Sequence, residues 1–147
     1  MSLNGVFDIA GMGMSAQSIR LNTTASNLAN ANAASSSTDE VYRARHPVFE
    51  TMRRDLMSND FTTMPSMSDD ASMGLRVSEI VESQQPLDRR YEPGHPKADE
   101  EGYVYYPNVN MVEEMANMIS ASRSFQVNVE VMNSAKTMMQ RVLTLGQ

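Results

Sequence analysis

Side chains of the kinds used in catalysis and metal binding come together at one place in the sequence, the segment PGHPKADEEG. There His95 precedes Asp99, Glu100 and Glu101, and an imidazole with carboxylates can bind a metal ion or act as a general acid and base. The second histidine, His46, lies far along the chain, and no cysteine exists to complete a ligand set. Because the segment is dense in proline and glycine, we predict a solvated turn rather than a catalytic or metal site.

The glycines of the segment AGMGM suggest a second kind of site, a phosphate-binding loop. Gly11 and Gly13 do not follow a predicted strand, however, and they lie within a helical pattern of apolar residues. We therefore predict that they allow another helix to approach closely. The sequence also contains no P-loop and no GxSxG element. It predicts no enzyme activity, no metal and no cofactor.

The composition narrows the class of protein. The chain has 147 residues, of which 41% are apolar, and this length favours one domain with or without an extension. No run approaches the roughly 20 apolar residues that a membrane-spanning helix needs. A net charge of -6 argues against a general nucleic-acid binder. The first residues lack the basic and apolar regions of a secretory signal, so we expect no cleaved signal peptide.

Charge is distributed unevenly along the chain. Residues 1–34 contain two charged side chains, residues 35–108 contain twenty-two, and residues 109–147 contain six. We therefore divide the chain into an N-terminal helix (1–34), a charged middle region rich in β-structure and turns (35–108), and a C-terminal helix (109–147). Within the middle region, residues 61–74 have the Ser, Pro, Asp and Gly content of a flexible loop.

Both ends show a seven-residue repeat of large apolar residues. In the first segment Phe7, Met14, Leu21 and Leu28 recur at this spacing, and the alternate positions hold mostly smaller residues: Leu3, Ala10, Gln17, Thr24 and Ala31. The last segment keeps the same spacing at Met111, Met118, Phe125, Met132 and Met139, and a second set lies between them: Met115, Ser122, Val129, Lys136 and Leu143. Each end is predicted to be a long helix with one apolar seam.

The C-terminal helix also has recognisable ends. Asn110 and Glu113 have the spacing of a capping box, and Glu114 places negative charge in the first turn. Gly146 is a typical helix stop. The sequence thus predicts a helix over residues 111–145, roughly 50 Å long.

The middle region favours short strands. Residues 41–50, 75–82 and 103–106 carry β-branched and aromatic side chains with partial alternation. Residues 84–102 contain many turn formers and are predicted to be an ordered connection braced by proline. The predicted fold is α+β and mainly α, with long terminal helices pairing as a coiled coil and a small β/turn-rich middle region.

The scarcity of charge in the N-terminal helix bears on function. A solvent-facing helix normally carries charge opposite its apolar stripe, whereas here that face consists of Ser, Gln, Asn and Thr. These side chains can be buried without the desolvation cost of ions. A chain of this size has little other material to cover two long helices, so we expect other subunits to cover them.

The methionines leave an alternative open. The chain has fourteen of them, and thioether side chains adapt to varied partners. Core filling is favoured for the methionines at helical spacing, whereas Met64, Met67 and Met73 fit neither account well. The alternative function is a soluble helical-hairpin adaptor that binds partners through a Met-rich face.

Both ends of the sequence resemble a known family, the bacterial flagellar axial proteins, and in particular those of the proximal rod. The resemblance rests on a small residue well upstream of a run of small residues that leads into Asn-Leu-Ala-Asn, here Gly13, then Thr23, Thr24, Ala25 and Ser26, then Asn27, Leu28, Ala29 and Asn30. The family pattern usually closes on Ser, Thr or Val, where this chain has Ala33. At the other end SASRSFQVNVEV resembles the matching terminal helix, and YEPGHPKADEEGYVYYPNVN resembles the connection before it.

The resemblance implies a structural subunit of the flagellar basal-body rod that transmits torque. Its implied partners are further copies of itself, other rod proteins, the adaptor that joins the rod to the membrane-embedded MS ring, and the flagellar type III export apparatus. Export by that route without a cleaved signal, followed by assembly in the periplasm, would account for the absence of cysteine. The residues expected at the assembly interface are Phe7, Met14, Leu21, Asn27, Leu28, Asn30, Met118, Ser122, Arg123, Phe125, Val129 and Met132.

Overall fold

In the sequence, the four β-strands lie between two long helices. The computed structural model describes residues 3–52 and 74–145, and the elements within them are α1 (Leu3–Asn30), β1 (Arg45–Met52), β2 (Gly74–Glu82), β3 (Asp88–Tyr91), β4 (Tyr103–Tyr106) and α2 (Met111–Leu145). The four strands form two separate antiparallel pairs, β1 with β2 and β3 with β4. The predicted α+β, mainly helical fold class is confirmed.

Helix α2 has 35 residues and is about 52 Å long. It begins where the sequence predicts, because the Asn110 side-chain oxygen accepts hydrogen bonds from the backbone N–H groups of Val112 (3.1 Å) and Glu113 (3.5 Å). The predicted stop at Gly146 lies outside the described residues. No helix in the described ranges is long and apolar enough to cross a membrane.

Helices α1 and α2 pack against each other in opposite directions. Arg20 donates a hydrogen bond to the side chain of Asn117 at 2.8 Å, and a Cβ atom built on Gly13 would lie 2.8 Å from the Asn128 amide nitrogen. Since the partner number in α2 falls as the residue number in α1 rises, the helices are antiparallel. The predicted close approach is confirmed at Gly13, but it is wrong for Gly11 within the described residues, since outside its own helix backbone none of their atoms lies within 4 Å of a Cβ atom built there.

The β1–β2 hairpin packs along another side of α1. Arg45 pairs with Glu82 at one end and Met52 with Gly74 at the other, and Ser78 is skipped where the register shifts. A side chain at Gly74 would collide with Met12 of α1, which explains why glycine fits there. The strand predicted over 75–82 is confirmed to within one residue. The strand predicted over 41–50 begins later, because Ala44 and the residues before it follow an irregular path in which Val41 and Ala44 are buried.

The β3–β4 pair contains one strand that the sequence does not predict. Asp88–Tyr91 carries three charged residues and one aromatic residue, so it lacks the apolar alternation by which strands are recognised. Its stability comes from β4: the Arg89 guanidinium lies 3.6 Å from the centre of the Tyr103 ring, and Arg90 lies 4.7 Å from that of Tyr106. The expected strand over residues 103–106 is confirmed.

The His95 segment forms the turn between β3 and β4. The Asp99 carboxylate accepts hydrogen bonds from the backbone N–H groups of Glu101 (3.0 Å) and Tyr103 (2.8 Å), and His95 accepts one from that of Lys97 (3.1 Å). These bonds shape the turn. Within the described residues no three metal-ligating side chains come together.

Gly102 is the position in this turn that most needs glycine. Its φ is +82°, and an added Cβ would lie 3.0 Å from the Tyr91 ring and 3.2 Å from Pro93. We expect Gly102→Ala to destabilise the β3–β4 pair by about 1–2 kcal/mol, since a left-handed backbone conformation costs that much for a residue with a Cβ. The measurement is urea unfolding followed by tyrosine fluorescence.

Gly94→Ala is the matched control, because among residues 3–52 and 74–145 no atom beyond its chain neighbours lies within 4 Å of a Cβ atom built at Gly94. An equal loss of stability in the two variants would contradict the explanation.

Candidate assembly interface

Helix α1 is covered on two sides by its own chain. One side faces α2 and another faces the β1–β2 hairpin. The residues of the helix that these contacts bury are small or uncharged: Ala10, Ala16, Thr23, Thr24 and Asn27. The hairpin thus accounts for part of the scarcity of charge in this helix, because a charged side chain at these positions would lose its hydration.

Helix α2 faces α1 through a column of residues spaced by seven. Glu114, Ala121 and Ala135 of this column are buried, and Asn128 packs against Gly13. The column lies one residue before the predicted second set, of which Met115 and Leu143 are largely exposed. At Gly13, Ala121 and Ala135 the contact therefore involves small residues, and there the backbones come close enough that the large apolar side chains lie beside the line of contact rather than on it.

The large residues predicted for the seam flank this line. All of them are half-buried: Phe7, Met14, Leu21, Leu28, Met118, Phe125, Val129 and Met132. Each leaves part of its apolar surface exposed within the single chain. The predicted residues thus lie on the two helices that face each other, and part of their surface remains exposed to solvent.

The four predicted polar contact residues have different surroundings. Asn27 is fully buried, Ser122 is half-buried and Arg123 is exposed. Asn30 is half-buried and donates a hydrogen bond to the backbone carbonyl of Ser26 at 2.8 Å. The side chains of Ser122 and Arg123 therefore reach the surface of the chain.

Asn27 joins helix α1 to the start of β1. Its amide nitrogen donates to the carbonyl of Arg45 at 2.8 Å, and its amide oxygen accepts from the backbone N–H of Arg45 at 2.9 Å. The same oxygen accepts from the hydroxyl of Tyr42 at 2.8 Å. The side chain thus pairs with Arg45 as a neighbouring strand would, and it satisfies both backbone groups where water is excluded.

Tyr42 and Arg45 are functional neighbours that sequence reasoning missed. Both lie 15 or more residues from Asn27, and neither belongs to a recognisable motif. The only sequence feature that could point to them is the asparagine itself, whose amide is a donor and an acceptor at once and therefore needs partners when buried.

The helix contact contains a polar atom without a partner. The side-chain oxygen of Gln17 is buried and has no hydrogen-bond partner among the described residues. Buried polar atoms are normally paired, so an unpaired one lowers the stability of the contact that buries it. Within the described residues, the contact between the two helices therefore leaves one buried polar atom unpaired, whereas both polar atoms of the Asn27 side chain are paired.

Helix α2 exposes much apolar surface away from α1. Nine of its large apolar residues are exposed: Met111, Val112, Met115, Ile119, Val127, Val131, Met138, Val142 and Leu143. Single exposed apolar residues are ordinary, whereas several neighbouring ones on one helix are typical of a surface that binds another protein. What this site can do is bind other protein surfaces by non-covalent packing.

We expect Asn27→Asp to lower the free energy of unfolding by about 1–3 kcal/mol, because the carboxylate cannot donate to the Arg45 carbonyl and would bury a charge. The measurement is the urea unfolding midpoint. Asn22→Asp is the matched control, since Asn22 is exposed on the same helix. Equal midpoints for the two variants would show that the Asn27 junction does not stabilise the fold.

Two family models match the two ends of the chain. Residues 7–34 match the model described as flagella basal body rod protein, and residues 100–145 match the C-terminal model of the flagellar basal body rod FlgEFG proteins. The first match spans most of α1, and the second spans β4 and α2.

Similar proteins extend over the whole chain. The flagellar basal-body rod protein FlgC of Escherichia coli O6:H1 is 47% identical over 147 residues, and that of Salmonella typhimurium LT2 is 46% identical, with all of both chains covered in each case. The FlgC protein of Borreliella burgdorferi is 34% identical over 155 residues, which cover all of this chain and 99% of the relative. The chain belongs to the FlgC family of flagellar basal-body rod proteins, which are structural subunits of the rod and not enzymes.

Proposed function

We propose that α1 and α2 pair as a coiled coil and that this pair carries the subunit's assembly into the proximal rod. The observation that carries the proposal is the apolar surface that α2 leaves exposed after α1 has covered one of its faces. Fully burying a side chain of the size of valine or methionine contributes about 1.5–3 kcal/mol. Covering several of them on neighbouring subunits would therefore stabilise an assembly.

The proposed interface consists of the half-buried residues that flank the helix contact and the polar residues around them. Leu28 and Phe125 would complete their burial against neighbouring subunits, and Ser122 and Arg123 would provide polar contacts at the margin. The function is mechanical: torque passes along the array if many packed contacts resist shear together. A contact between two different surface patches repeats without closing, which builds a rod and not a dimer.

The proposed partners are further copies of this chain, other rod proteins and the adaptor between the rod and the MS ring. The proposed route is export by the flagellar type III apparatus without a cleaved signal, followed by assembly in the periplasm. The complete lack of cysteine supports this route, because an exported, unfolded chain with free thiols could form incorrect disulfides. In this proposal residues 1–34 and 109–147 form the axial part, and residues 35–108 pack outside it.

We expect Leu28→Asp to prevent incorporation into the rod and to abolish motility, because a charge would enter a densely packed contact. The measurement is swimming of cells that carry only the variant, together with its amount in purified basal bodies. Asn133→Asp is the control, since Asn133 is exposed on α2 and is not among the residues of the proposed interface. Normal motility of the Leu28→Asp strain would refute the role of α1 in assembly.

We also expect the isolated chain in dilute solution to be a monomer whose terminal segments are digested faster than its middle region. The helix pair leaves apolar surface exposed and buries an unpaired glutamine oxygen, so it is marginal without its neighbours. Limited proteolysis with mass spectrometry, and circular dichroism for helix content, test this expectation. A monomer with both ends helical and protected would instead support the soluble adaptor.

A further inference from the structure

The exposed surface of α2 includes a short apolar stripe. We define the outer stripe of α2 as Val127, Val131 and Met138, whose exposed fractions are 56%, 41% and 54%. At 100° per residue these side chains fall within about 40° of one another around the helix, at one margin of the column that faces α1. Ser134 lies between them, and the nearest charged residues, Arg123, Glu130 and Arg141, are exposed along the opposite margin, where they keep their hydration if the stripe is covered.

Helix α1 has an exposed face that is complementary to this stripe in size and in charge. We define the small-residue strip of α1 as Ser15, Ser18, Asn22, Ala25 and Ala29, all of them exposed and uncharged. Gly11 continues the strip by one turn, and apart from its own helix backbone no atom in the described part of the chain lies within 4 Å of a Cβ atom built there. The large side chains of the outer stripe could therefore approach this helix closely.

We propose that the outer stripe of α2 docks on the small-residue strip of α1 in a second copy of this chain. The helix contact within the chain already uses the same principle, since small residues such as Gly13 and Ala121 let two backbones come together. The outer stripe spans about 17 Å and the strip from Gly11 to Ala29 about 27 Å, so several turns can interlock.

The second copy is favoured over an unrelated partner by continuity with the proposed assembly surface. Ser18 and Ala25 lie three residues before and four residues after Leu21, so they adjoin its half-buried side chain on the helix surface. A neighbour seated on the strip would complete the burial of Leu21 by the same contact. Because the stripe and the strip are different patches, the contact is heterologous and extends from copy to copy. The inference rests on the proposed function, and it specifies which faces meet.

Disulfide cross-linking tests the contact cleanly because the chain has no cysteine of its own. Cells would produce two copies, one with Val131→Cys and one with Ser18→Cys, Asn22→Cys or Ala25→Cys. After mild oxidation we expect a covalent adduct of about twice 16.3 kDa in purified basal bodies for at least one pair. The control is Asn133→Cys with the same α1 variants, from which we expect at least about tenfold less adduct, since Asn133 lies on another side of α2.

Three outcomes would overturn the inference. An adduct formed by Val131→Cys alone would show a symmetric contact, an adduct of a different mass would show another protein on the stripe, and no adduct with any pair would show that the faces do not meet. Met138→Cys repeats the test one heptad further along in case Val131→Cys is not incorporated. If the unmodified chain is absent from basal bodies, the proposed function fails; if it is present without the adduct, only this inference fails.

Discussion

The packing of the β1–β2 hairpin along helix α1 depends on one buried side-chain amide. Asn27 pairs its nitrogen and oxygen with the backbone of Arg45 and in doing so joins helix α1 to the first strand of the middle region. With one end of the hairpin held there and the other end packed against Met12, the two strands lie along the helix. A shorter or charged side chain could not satisfy both backbone groups in a site without water.

The two helices differ in how much of their surface the rest of the chain covers. Helix α1 lies between α2 and the hairpin, and between Ser15 and Ala29 its exposed residues are small and uncharged. Helix α2 has α1 on one side and shows apolar residues on others. One chain therefore carries both surfaces of the contact that we propose between copies, the outer stripe of α2 and the small-residue strip of α1.

Within the single chain, the contact between α1 and α2 pairs its polar groups and buries its apolar side chains only in part. Small residues bring the backbones together, yet Gln17 keeps an unpaired buried oxygen, and the large residues beside the contact stay half-exposed. By contrast, the β3–β4 pair satisfies itself locally through its arginine and tyrosine contacts and the hydrogen bonds of its turn. The β3–β4 pair is thus held by contacts within the chain, while the helices leave apolar surface exposed.

The sequence by itself determined the elements that depend on neighbours in the chain. The seven-residue spacing and the Asn110 cap predicted α2 over 111–145, because helical periodicity and capping are local properties. What only the tertiary structure decided depends on distant partners. The strand Asp88–Tyr91 forms because its arginines pack on the tyrosine rings of β4. Asn27 forms hydrogen bonds with Arg45, which lies 18 residues further along the chain. The sequence also did not reveal which residues of α2 contact α1. Periodicity is recognised from large apolar residues, whereas Ala121 and Ala135 are buried because they are small.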